Sequence, residues 1–444
     1  MTLDERLYVF SEGIDSIMYA SLFDSHQTIE STESIENIDK RDIDILRSLG
    51  EQIAKLAARD IEREKIKVWT QNNDLSPERV PIYCDPDNSW HEIIPESELL
   101  CTSKLCKEIE MQLRKDVIWG ECLKDDRVIE NVIRIPYVGG ISDWGLFAKR
   151  VGAGGRSAYN WIAPLADYKD MDKLHFPGVS VDISATKERV EFFRDVFAGM
   201  LTVECSQQWW WTLGMTMILA YLRGLAQIMY DMYDYPEELH KLMTFLCDGH
   251  LAVLGHLEDN KLLSSNVGNV YISTGGFGFT NQLPQTTGPA MLKNMWGYAE
   301  SQETTAVSPE MFNEFILPYQ IRVLEKFGLN SYGCCEPLDF RVKYLKQIPN
   351  LRKITVSPWS DIALMAEQLQ DKFVLTYKPN PAPLALNNMN EDIVRLTLRD
   401  ALEKTKDCVV ELVMTDNHTL GDNPENAYRW VQIAREECAR VGKG

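Results

Sequence analysis

Histidine is scarce in this sequence, and the familiar metal spacings are missing. Seven histidines occur in 444 residues, and none stands in H-x-C, C-x-x-C or H-E-x-x-H order, so no strong metal pattern is present. Basic charge is also short. Asp and Glu number 66 against 46 Lys and Arg, a net charge of -20. That balance excludes a nucleic-acid binder, which needs clustered cations, and an anionic membrane surface. Long apolar runs are absent too. The best, residues 209–222, falls short of the about 18 residues of a membrane helix and ends at Arg223. No basic segment leads into an apolar core at the N-terminus, so no secretory signal is expected. Neither G-x-S-x-G nor an internal repeat occurs. The ten cysteines are mostly singly spaced, which suits reduced thiols and a cytoplasmic location.

What is there begins with helical periodicity. Residues 1–78 are charged and carry apolar residues at helical spacing, which predicts an N-terminal helical extension. Residues 80–91, V-P-I-Y-C-D-P-D-N-S-W-H, hold two prolines and read as a loop around a short extended segment. A helix is expected over 102–119. From residue 329 onward, β-branched runs alternate with helical patterns. Strands are expected at 329–335, 352–359, 373–378 and 408–414, with helices over 339–347, 361–370, 390–405 and 424–441. Earlier strands are expected at 132–137, 179–183, 200–205 and 269–273. Eight strands joined by helices predict a (β/α)8 TIM barrel over 79–444, with a doubly wound sheet as the alternative.

Either architecture puts its chemistry at the C-terminal ends of the strands. Cys334, Cys335 and Glu336 fall there, as do Trp359, Lys378 and His418. Adjacent cysteines rarely bridge, so S-Y-G-C-C-E is a packing accident, a metal site or a redox site. Were 329–336 extended, Tyr332, Cys334 and Glu336 would share one face. A thiolate and a carboxylate there suit zinc, with His418 and Glu303 as the remaining donors. Buried, inert cysteines are the plain alternative. The run Q-Q-W-W-W-T at 207–212 cannot send all three indoles into one core. Trp209, Trp210 and Trp211, with Trp296 and Trp359, are therefore candidates for an aromatic pocket.

Several motifs, taken in order, are similar to one family. Y-G-C-C-E-P-L-D, I-P-N-L-R-K-I-T-V-S-P-W, K-P-N-P-A-P and N-P-E-N-A-Y-R-W-V-Q-I-A-R-E-E resemble the uroporphyrinogen-decarboxylase-like superfamily. They resemble most its corrinoid-dependent methyltransferase branch, that of anaerobic O-demethylases. The likeness extends to V-P-I-Y-C-D-P-D-N-S-W-H-E and W-G-Y-A-E-S-Q-E-T, and so spans most of the chain from about residue 80. It implies a (β/α)8 barrel and methyl transfer from a methoxylated aromatic to the Co(I) corrinoid of a separate protein. It further implies zinc at the barrel mouth, with Cys334 carried over by motif, His418 by approximate position and Glu303 as a further ligand. Glu336 and Tyr332 are the expected catalytic groups, and pairing into a homodimer is common in the family. The arginine-rich substrate loop of the decarboxylase has no match, which disfavours that activity. Methylamines, methylthiols and a decarboxylase or lyase reaction using Arg134, Arg156 and Lys378 stay as alternatives.

Overall fold

The computed structural model describes residues 35, 38–152, 159–272, 274–286 and 288–444. Arg156 and most of the first 37 residues lie outside them. Eight strands, in two separate parallel sheets, organise the described residues. They are β1 (Ile82–Cys84), β2 (Val132–Ile135), β3 (Thr202–Cys205), β4 (Trp296–Ala299), β5 (Leu329–Tyr332), β6 (Leu351–Val356), β7 (Val374–Tyr377) and β8 (Val409–Met414). Six form one sheet in the order β1-β8-β7-β6-β5-β4, parallel throughout. The other two, β2 and β3, pair in parallel as a separate two-stranded sheet. Among the described residues the ladder does not run on from one sheet to the other, so the fold is α/β with a six-stranded parallel sheet. Strands β4, β5, β7 and β8 are buried at every residue, as covered parallel strands must be.

Two expected strands are replaced. Val179–Asp182 runs antiparallel to Val138–Ile141, outside the parallel sheet. The 269–273 run makes only an isolated bridge between Tyr271 and Phe277. In their stead stand β1 and β4, which composition hides. At the end of the ladder, Pro81 costs β1 nothing, because it contributes only its carbonyl, to the Leu412 N–H. Gly297 in β4 is there for space. A Cβ at that position would come within 2.3 Å of Asn330 Oδ1 and 2.8 Å of the Phe327 ring.

The N-terminal helices are not an appendage. Helix α1 (Lys40–Ala57) and α2 (Asp60–Asn73) contribute Leu46, Ile53 and Trp69 to the main hydrophobic core. Trp69 packs edge-on against Phe277 at 5.4 Å. Asn73 donates from its amide nitrogen to the carbonyls of Phe277 and Phe279, at 2.8 and 2.7 Å. The end of α2 and the 274–279 segment thus close one side of the sheet. Behind them lies an ion pair, Lys353 on β6 with Glu411 on β8, at 3.0 Å and fully buried.

Gly276 makes this closure possible. Its φ is +66°, and a Cβ there would sit 2.5 Å from the Trp69 ring. Gly276→Ala should therefore cost about 1–3 kcal/mol, read as a lower urea midpoint with an unchanged denaturant slope.

Candidate active site

Strand β5 stops earlier than its sequence suggests. Gly333 takes φ +103°, a left-handed turn open to glycine. The extended pattern therefore ends at Tyr332, and the shared face expected for Tyr332, Cys334 and Glu336 does not form. Tyr332 turns outward instead. It is fully buried, and its hydroxyl donates to Gln320 Oε1 at 2.7 Å. Burial pushes the phenol well up. The structure thus places Tyr332 in the interior, with its hydroxyl engaged by Gln320.

Glu336 is buried beneath the rim rather than presented at it. One carboxylate oxygen accepts the Ser301 N–H at 2.8 Å and the other the Cys334 N–H at 2.9 Å. It pins the turn after β5 to the turn after β4. Arg341 supports the same joint, donating to Ser301 Oγ at 2.9 Å and to the carbonyls of Thr304 and Val307.

Against Glu336 lie two more carboxyl groups, both from the turn after β4. Glu300 is fully buried, and it accepts from the Gln302 N–H at 2.8 Å and from Thr212 Oγ1 at 3.3 Å. Glu303 is half-buried and accepts from Thr216 Oγ1 at 2.8 Å. Burial, then the charges of Glu303 and Glu336, push Glu300 well above the usual carboxylate range. Glu303 is raised as well, chiefly by burial. Carboxyl groups gathered in this way favour the neutral form of Glu300 and Glu303.

The two thiols form the other half of the rim. Cys334 Sγ lies 3.5 Å from Cys335 Sγ. Lys378, at the end of β7, places its ammonium 3.9 Å from the first sulfur and 3.6 Å from the second. Asp416, at the end of β8, holds that ammonium at 2.7 Å and accepts from Cys335 Sγ at 3.4 Å. Asp416 adopts φ +62°, a conformation Asp tolerates better than most residues. The hydrogen bond with Cys334, aided by the Lys378 charge, draws the Cys335 thiol below its ordinary value against the pull of burial. The same sulfur–sulfur bond, with burial, drives Cys334 well up.

No protein-family model matches the chain, and no curated protein is similar to it at significance. The chain is similar to solved structures. One is a methyltransferase from Methanosarcina mazei, with a TM-score of 0.48 and 10% identity, covering 84% of this chain and 98% of that one. So distant a likeness assigns neither substrate nor residues.

The expected zinc set is not assembled. Cys334 faces Cys335 and Lys378, and Glu303 is taken up by Glu300 and Thr216. His418 is exposed, with Nδ1 3.4 Å from the Asn88 amide nitrogen. Among the described residues no three His, Cys, Asp or Glu side chains are grouped to hold a metal. The positive charge against the sulfurs comes from Lys378 instead. The residues present do not fit zinc, and no chemistry is derived through it.

The tryptophans divide. Trp209 and Trp210 are buried; Trp209 donates to the Leu262 carbonyl at 2.9 Å, and Trp210 packs on Phe327. They line a cleft with Arg134, Gln207 and Met295, whose lining includes neither the thiols nor the glutamates. Trp296 begins β4, at the opposite end from the rim, with its indole N–H on the Gly278 carbonyl at 3.0 Å. Trp211 alone of the run reaches the mouth. It is half-buried and lies 6.1 Å from the Tyr298 ring, whose hydroxyl donates to the Gly333 carbonyl. Trp359 stands 70% exposed beyond β6. The cations needed for a polycarboxylate substrate are already engaged, Arg134 by Glu130 and Lys378 by Asp416. No described helix is long and apolar enough to cross a membrane.

Sequence reasoning missed Glu300, as fully buried as Glu336. Its signal was the E-x-x-E spacing of Glu300 and Glu303 straight after W-G-Y-A, legible only once W-G-Y-A is taken as a strand.

Proposed function

We propose that this protein is a methyltransferase that removes the methyl group of a small methylated donor, an aryl methyl ether first, and delivers it to the corrinoid of a separate protein. The observation that carries the reading is the group of carboxyls, Glu300, Glu303 and Glu336, gathered at the ends of β4 and β5, where Glu300 and Glu303 are raised above the usual carboxylate range. The family likeness of the rim motifs supports it, as does treating the six-stranded sheet and the β2–β3 pair as the eight strands of a barrel. An aryl ether is inert because free phenolate leaves poorly, so a held proton at the ether oxygen lowers the barrier. Half-buried Glu303 meets the donor, and buried Glu300 keeps the proton available behind it. Glu336, locked by two backbone N–H groups, adds negative charge that keeps the pair from ionising fully. Half-buried Trp211 offers an aromatic face, with buried Tyr298 edge-on behind it, and holding the methyl group in line for transfer supplies much of the rate. A Co(I) corrinoid on the partner would supply the nucleophile.

The test is anaerobic. Purified protein is mixed with a Co(I) corrinoid protein and a panel of methoxylated aromatics, and the Co(I) absorption band is followed. Donor-dependent loss of the band is expected. An unchanged band with every methoxyarene, and with methylamines and methylthiols, would overturn the reading.

A further inference from the structure

The thiol pair has no part in that proton chemistry, and its geometry suits another. We propose that Cys334 and Cys335 are a reversible redox site, which a peroxide oxidises to a disulfide between the two adjacent residues. Three observations carry this. The sulfurs are 3.5 Å apart. One is accessible and the other lies behind it, since Cys335 is half-buried and Cys334 is 4% exposed. An ammonium, that of Lys378, lies 3.6 Å from the accessible sulfur, where positive charge favours attack as a thiolate. An accessible thiol with a resolving thiol beside it is the arrangement of peroxide-sensing cysteines.

The chemistry balances. Cys335 sulfur attacks one peroxide oxygen, the O–O bond breaks, and the other oxygen leaves as water; Cys335 becomes the sulfenic acid. Cys334 sulfur then attacks Cys335 sulfur, the S–O bond breaks, and its oxygen leaves as a second water. Two thiols lose two electrons and two protons, and one hydrogen peroxide gains them. Consecutive Cα atoms are only about 3.8 Å apart, closer than the about 4.4–6.8 Å of ordinary disulfides. The product is therefore strained and readily reduced, the property of labile, regulatory disulfides. Closing the ring constrains the peptide between Cys334 and Cys335, next to the Cys334 N–H that holds Glu336.

The test reads mass, so it stands whether or not methyl transfer is found. Reduced, folded protein is treated with about one equivalent of hydrogen peroxide, remaining thiols are alkylated, and peptides are mapped. The expected result is loss of two hydrogens on the peptide holding Cys334 and Cys335, joint protection of both from alkylation, and full reversal by dithiothreitol. In Cys334→Ser the resolving thiol is gone, so Cys335 should stop at the sulfenic acid with one equivalent and run on to the sulfinic acid when a second equivalent of peroxide is added. In Cys335→Ser, Cys334 should remain alkylatable. The half-buried Cys122, Cys205 and Cys408 serve as internal controls. Sulfinic acid at Cys335 in the unaltered chain with Cys334 still free, or a first disulfide elsewhere, would overturn the proposal.

Discussion

Glu303→Gln lowers methyl transfer by about 10²–10⁴-fold, the usual contribution of a placed general acid, while it stabilises the fold at pH 8. The two effects share one cause. Burial raises both Glu300 and Glu303 above the usual carboxylate range; the Glu303 charge adds to the rise of Glu300, and the Glu336 charge to both. The folded chain therefore binds more protons here than the unfolded chain. Stability from the pair is full below the unfolded carboxylate value and is lost as pH rises through the folded values. Glutamine keeps the shape and cannot ionise, so it abolishes that loss. The variant's unfolding temperature should match the parent near pH 4 and exceed it at pH 8. A drop of equal size at both pH values would reduce Glu303 to a structural acceptor for Thr216. An unaltered rate would move the acid elsewhere.

Lys353→Met is the larger blow to stability, about 3–5 kcal/mol, because it leaves Glu411 in the interior without its countercharge. Burial pushes Lys353 down and Glu411 up, each toward its neutral form, which shows how costly the pair is to hold. Apolar replacement of both partners often restores stability. Here the recovery should be partial. Glu411 also accepts from Thr376 Oγ1 at 2.6 Å and from the Asn72 amide at 3.3 Å, and Lys353 also donates to the Gly275 carbonyl. Lys353→Met/Glu411→Leu strands those groups, at about 1–3 kcal/mol each. Urea midpoints of the single and double variants decide it. A double variant no better than the single would mean that the pair's links to Gly275 and Asn72 matter more than its charge.

The C-terminal strands were legible because V-V-E-L-V-M and F-V-L-T-Y-K are near-continuous β-branched and apolar runs, and their helices carry clear caps such as Asp361 and Asn390. The strands β1 and β4 were not. Y-C beside prolines and W-G-Y-A look like loops until their neighbours in the sheet are known. The rule that parallel strands end along one rim does bring Cys334, Cys335 and Lys378 together. The geometry within that rim was not legible, because one glycine with positive φ, Gly333, redirects the chain after it. Nor can spacing show that Lys378 takes the position beside two thiols, since the residues come together only through β5, β7 and β8. The buried Lys353–Glu411 pair was equally invisible, as its partners are 58 residues apart.

The helix that closes the sheet interior also sets an order of events. Asn72 and Glu411, joined by a hydrogen bond, are 339 residues apart in sequence, and Asn73 reaches over 200 residues to Phe277. On the ribosome, α2 is complete long before either partner exists. Its polar end must wait in water until the final strand emerges. Such distant contacts slow folding, so this chain should gain its last protection from hydrogen exchange at Trp69 and β8 together, and a truncation before residue 409 should leave α2 without its seat.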